Sequence, residues 1–206
     1  MNKLSFISIL CFFLSSHLAG QSKDSGFTSL SSPEKWWVIW HPFKAKKALE
    51  VSLRTLEITD SIKKTGIIGV DMNGGSLDAF KHTFWMASMS RHIGRKASLK
   101  LGKAHEKGNY RSFLQGLPED GVLPDKVSSD MDLFNNEVGA QIAINHPKAS
   151  EDELILIIIE KLQQGELKII KKDENDFLTC EGVPIPRGSL IGKWENDKCL
   201  VPSNHP

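Results

Sequence analysis

The chain opens on an almost unbroken apolar run and then changes rhythm. Leu4 to Leu14 reads LSFISILCFFL, with Lys3 as its charged neighbour. Farther on the rhythm is helical. Lys44 to Lys63 carries Ala45, Ala48, Leu49, Leu53, Leu56 and Ile62 at spacings that predict an amphipathic helix, ended by Gly66. Helices are also predicted over Ser76 to about His92, Ala97 to about His105, and Ser129 to about Ile144, the last closed by His146-Pro147. Ser150 and Glu153 form a capping box for one more. Its Leu154 to Ile159 run and Leu162 are apolar on nearly all sides, which places it at the centre of a bundle. Lys107 to Ser128 holds three glycines and two prolines and is expected as a long loop covering a pocket. Leu167 to Lys172 and Phe177 to Glu181 flank a polar turn and read as a β-hairpin. Pro184, Pro186 and Gly188 make the tail irregular, with Ile191 and Trp194 as anchors. The fold expected is mainly α: a helical bundle with a small C-terminal β-hairpin and an irregular tail.

The opening run has the order of a secretory signal peptide: a basic residue, an apolar core, small residues at Ala19 and Gly20, then polar Gln21. An uncleaved anchor is the alternative. Cys11 lies inside the run, so lipidation there is not expected. The organisation expected is a signal peptide over 1–20, a flexible leader over 21–35, a helical domain over 36–165, and a hairpin and tail packed on it over 166–206. No later stretch reaches about 18 apolar residues, so no transmembrane span is expected in the mature chain. Export sends it to the periplasm or the extracellular space.

Composition adds exclusions. The chain has 206 residues, 40 % of them hydrophobic and 25 % charged. That is a soluble globular composition, not a disordered or fibrous one. Lys plus Arg is 26 against 25 for Asp plus Glu, and without the first twenty residues both counts are 25. Charge therefore gives no reason to expect nucleic acid as a partner. The substrate and the oligomeric state are not readable from it. Of three cysteines, Cys180 and Cys199 remain in the mature chain. They either pair in an oxidising compartment or stay as thiols. Trp36, Trp37, Val38, Ile39 and Trp40 are expected as a hydrophobic plug on the first helix, with a place at a membrane interface as the alternative.

Chemistry is suggested where polar residues interrupt faces that should be buried. Asp78, His82, Trp85, Met89 and His92 share one face of their helix. Buried Asp and His on one stripe are costly unless paired or bound to something. The next helix ends in Ala104-His105-Glu106. The third carries Asp132, Asn135, Asn136 and Gly139 on one face, and Gly139 admits a close backbone. Asp78, His82, His105, Glu106, Asp132, Asn135 and Asn136 are thus the candidate catalytic residues. His82, His105 and Asp132 are the candidate ligands of a divalent metal. Singly, each has a plainer account: Asp78 and Asp132 suit the first turn of a helix, His82 a satisfied core position, and Glu106 an exposed helix end.

The ordered set Asn73-Gly74-Gly75-x-x-Asp78-Ala79-Phe80-Lys81-His82-x-x-Trp85, then Ala104-His105-Glu106, then Met131-Asp132-Leu133-x-Asn135-Asn136-x-x-Gly139, resembles an uncharacterised bacterial family, domain-of-unknown-function family 6973. The resemblance covers roughly residues 36 to 145. It implies a shared site, and exported proteins or C-terminal modules of secreted and toxin-like chains as its kin. It names no reaction. Lys81 stands where arginine is frequent, and Phe134 where histidine is frequent. Three readings follow. The first is an exported, metal-dependent hydrolase in which Glu106 acts as base and Asn135 and Asn136 hold substrate. The second is a non-enzymatic envelope or binding protein whose motif residues form a structural network, with Asp78 paired to His105. The third is a toxin-type module.

Overall fold

The computed structural model describes residues 27–118 and 123–205. The expected signal peptide, and most of the expected leader, lie outside the described residues. Phe27–Ser29 is a short 3-10 turn, and Ser31 to Pro206 forms one compact unit. Its helices are α1 Ser32–Trp40, α2 Pro42–Thr65, α3 Ser76–Ile93, α4 Arg95–Leu114, α5 Lys126–Asn145, α6 Glu151–Gln163 and the short α7 Arg187–Leu190. The strands are β1 Lys168–Ile170, β2 Phe177–Leu178, β3 Pro184–Ile185 and β4 Leu200–Pro202. The fold is mainly α, as the periodicity predicts. No helix among the described residues is long and apolar enough to cross a membrane.

The helix ends follow local chemistry. Ser150 and Glu153 make the expected capping box, and Gly66 ends α2 at a left-handed φ of 68°. A second capping box, Ser31 with Glu34, starts α1 inside the stretch expected as leader. Asp125 caps α5 by accepting the Ser128 N–H.

The central helix is α3, not α6. Leu77, Phe80, Phe84 and Ala87 of α3 pack with Ile142 of α5 and with Leu154, Ile158 and Leu162 of α6. Met86, Met89 and Ile93 face Trp37, Val51, Leu101 and Ala140 in a second cluster. By contrast α6 is one-sided, with Leu156 65 % exposed. Its apolar run goes all round the helix, but the buried residues are Leu154, Ile158, Ile159 and Leu162. In α2 the buried stripe is Ala48, Val51, Thr55, Ile58 and Thr59, and the expected Leu49, Leu53 and Leu56 stay exposed. Small and β-branched residues let α2 come close to α3, and the leucines fall on the flank.

Four further expectations are corrected. The long loop is short: α4 continues to Leu114 and α5 begins at Lys126. The hairpin is only an isolated Lys172–Phe177 bridge and the Leu178 N–H donated to the Lys171 carbonyl at 3.0 Å. Instead β1 pairs antiparallel with β4, and β2 with β3. The Cys180–Cys199 disulfide ties the two small sheets together beside that pairing. Ile191 is exposed, whereas Trp194 does anchor the tail, edge-on to Tyr110 at 4.8 Å. Of the tryptophan cluster only Trp37 is buried.

Candidate functional site

Helix α3 turns Asp78 and His82 inward one turn apart, as the spacing predicts. The stripe stays inward through Met89, with Trp85 half-buried, and surfaces at His92. Its start is set by the Asn73-Gly74-Gly75 turn. Gly74 has a φ of 81°, and a Cβ there would meet the Ile170 side chain at 2.6 Å, so only glycine fits. The Gly74 N–H donates to Asp78 Oδ2 at 2.9 Å, and the Gly74 carbonyl accepts from Ile170 N at 2.7 Å. Asp78 therefore holds the turn with one oxygen. Its other oxygen lies 2.8 Å from Lys81 Nζ and 3.6 Å from His82 Nε2.

The partner face comes from α5. Gly139 seats directly on the Thr83 carbonyl of α3, where any Cβ would overlap that oxygen. This approach brings Asp132 Oδ1 to 3.3 Å from His82 Nε2. Asp78, His82 and Asp132 are all buried and can each offer one ligand atom within 4.8 Å of the others. Helix α4 adds the buried Glu106, whose Oε2 accepts from Asn109 Nδ2 at 3.3 Å. Gly102, one turn earlier, leaves the space that Asn136 occupies: a Cβ there would lie 3.0 Å from Asn136 Nδ2.

The remaining candidates divide. Asn135 is committed to the fold: its Nδ2 donates to the Lys168 carbonyl at 2.9 Å and its Oδ1 accepts from Lys168 N at 3.0 Å. Asn136 is 1 % exposed, and neither of its amide atoms has a hydrogen-bond partner among the described residues. His82 Nδ1 is in the same condition. His105 is not brought into the Asp78–His82–Asp132 group. Its Nδ1 lies 3.0 Å from Glu34 Oε1, and its ring meets Trp85 edge-on at 5.9 Å. The pairing of Asp78 with His105 is replaced by Asp78 with Lys81 and His82, and His105 with Glu34. Glu34 is the residue that sequence reasoning missed, although the Ser31-x-x-Glu34 capping signature marks it.

Burial sets the electrostatics. It pushes the His82 imidazole well below its ordinary value, with Lys81 and His105 acting in the same direction. Burial also holds the Asp132 carboxyl well above its ordinary value, reinforced by Glu106 and Asp78 and opposed by Lys81 and His105. Glu34 behaves differently. Burial alone would raise it, but the His105 and Ser31 hydrogen bonds outweigh that and hold it at about 2.

Fold and site together define a mainly helical protein with a buried Asp–His–Asp group between α3 and α5. The model of the family described as Domain of unknown function (DUF6973) matches residues 35–166, and the chain belongs to that family. No curated protein and no solved structure matches the chain.

Proposed function

We propose that this chain is an exported hydrolase that takes one divalent metal ion on Asp78, His82 and Asp132. The observation that carries the reading is the convergence of three buried donor side chains within 4.8 Å. Charge supports it. Asp78 and Asp132 place two carboxylates beside the His82 imidazole, and a divalent ion balances the charge of that donor set. One imidazole and two carboxylates suit zinc, manganese or iron, and leave positions for water and substrate. A metal so held supplies a Lewis acid and a water of lowered pKa. Around it, Glu106 serves as proton acceptor, and the unpartnered Asn136 amide is placed to hold a substrate oxygen. Export is supported by the apolar Leu4–Leu14 run and by the Cys180–Cys199 disulfide, a bond that persists in oxidising compartments.

The test is metal content and melting of the full chain, stripped of metal and then given zinc or manganese. About one ion per chain and a clear rise in Tm are expected, followed by turnover of ester or phosphodiester reporters by the loaded chain. Asp132→Asn should abolish the ion and the Tm rise. Less than about a tenth of an ion per chain, with no shift, overturns the reading. A structural lock is favoured by the Lys81–Asp78 contact and by Asn135 on Lys168. On that reading His82→Ala costs about 2–4 kcal/mol with or without metal.

A further inference from the structure

The outer face of α1 and the start of α2 departs from the usual distribution of side chains. Trp36, Ile39, Trp40 and Phe43 follow the spacing that marks a buried helical stripe. They are nonetheless 60 %, 55 %, 75 % and 97 % exposed. The rotation of α1 is fixed, because Trp37 turns inward and donates its indole N–H to the Ala97 carbonyl at 3.0 Å. The aromatic face therefore stays outside.

Charge around it is one-sided. Residues 34–50 contain Lys35, Lys44, Lys46 and Lys47 against Glu34 and Glu50. Glu34 is turned inward onto His105, and Glu50 is tied to Lys47 at 3.0 Å. Lys44 meets a neutral partner, the Ile93 carbonyl, at 2.6 Å, which leaves its charge uncancelled. Exposed indole rings, with Lys46 one turn from Phe43 on α2, match the boundary between acyl chains and anionic headgroups. A protein partner would also accept aromatic anchors, but the lysine rim selects a negatively charged surface.

We propose that this face docks on an anionic lipid bilayer, with Trp36, Trp40 and Phe43 entering the headgroup boundary and Lys44 and Lys46 meeting phosphates. The inference is independent of the metal reading. The test uses the full chain with vesicles of phosphatidylcholine, with and without phosphatidylglycerol, carrying brominated acyl chains. Quenching of indole emission reads insertion, and Trp36→Ser with Trp40→Ser should remove it if these two exposed rings are the ones that enter. Strong quenching on anionic vesicles, weakened by salt, is expected. Ile39→Ser with Phe43→Ser leaves all five tryptophans and should weaken insertion by about tenfold or more at unchanged Tm. Lys46→Glu should weaken it severalfold on anionic vesicles alone. Three results overturn the proposal: no quenching by anionic vesicles, equal quenching on neutral ones without salt dependence, or self-association that the double variant abolishes. The last would assign the face to a second copy of the chain.

Discussion

The inner face of α3 and the outer face of α1 break opposite rules. On α3, Asp78 and His82 sit where apolar residues belong; on α1, Trp36 and Trp40 sit where polar residues belong. Both arrangements are held by rigid neighbours. The Gly74 turn and the Gly139 seat fix the first, and the inward Trp37 fixes the second. Neither is therefore a local accident that a rotamer change would relieve. The difference lies in what each lacks. The inner face holds buried carboxylates beside orphaned amide and imidazole atoms, which the proposed metal ion would complete. The outer face lacks apolar cover and has lysines near it in sequence, and the proposed lipid surface would complete it. Most of the surface, including isolated exposed leucines on α2, needs no such completion.

The inner half of that comparison depends on how closely α3 and α5 approach, and the largest effect expected at the site tests it. Alanine is the better helix former by about 1 kcal/mol, so Gly139→Ala would stabilise an open helix. Here the added methyl overlaps the Thr83 carbonyl, a backbone atom that cannot swing aside. The variant should lose about 2–4 kcal/mol in urea unfolding. A gain would mean that the two helices stand farther apart and that Asp132 does not reach His82.

A smaller effect separates the charged site from a merely packed one. The folded Asp132 carboxyl keeps its proton well above its ordinary value of 3.8, while the unfolded chain releases it there. Metal-free protein should therefore lose stability as pH rises above about 4, until the folded carboxyl itself ionises. His82 has the opposite sign. The unfolded ring protonates below 6.5 while the folded one resists, so its contribution is lost as pH falls through that value. Asp132→Asn should remove the first dependence and leave metal-free protein equal to or about 1 kcal/mol more stable than the parent. A loss of about 3 kcal/mol would sink the charged-site reading and favour the polar lock.

Glu34 belongs to neither face: it caps α1 and holds His105 of α4. Its carboxyl, held at about 2 against an ordinary 4.5, stabilises the fold above pH 4.5 and loses that effect as pH falls toward 2. Glu34→Gln should cost about 1–2 kcal/mol at neutral pH and flatten that acid limb. A parent-like acid limb in the variant would show that the Glu34–His105 bond does not form in solution.

What the sequence made legible was what a single helix decides. The Asp78–His82 stripe, the Ser150 cap and the Asp132–Asn136–Gly139 face depend only on helical spacing and cap chemistry. What it hid was which face meets which partner. Helix α2 has two apolar stripes, and only contact with α3 chooses Val51 and Ile58 over Leu53 and Leu56. His105 finds Glu34 across 71 positions, a pairing no local pattern encodes. The sheet failed for the same reason: β1 passes over its nearest neighbour in sequence to pair with β4. Asn135 and Asn136 looked alike as mid-helix asparagines, and the fold alone separates them, one bound to Lys168 and one left without partners.

The smallest expected effect tests the outer half of the comparison. If α1's aromatic face were a plug, Trp36→Ser would remove a buried side chain and cost about 3 kcal/mol or more. In the structure the Trp36 ring is 60 % exposed, while Trp37 makes the inward hydrogen bond. Trp36→Ser should therefore change stability by no more than about 0.5 kcal/mol. Trp37→Ala, at the next residue and about 100° around the helix, should cost about 3–5 kcal/mol. Chemical unfolding of the two variants side by side reads the contrast directly. Equal losses would mean that both rings are buried, and the apolar face would then need no lipid to cover it.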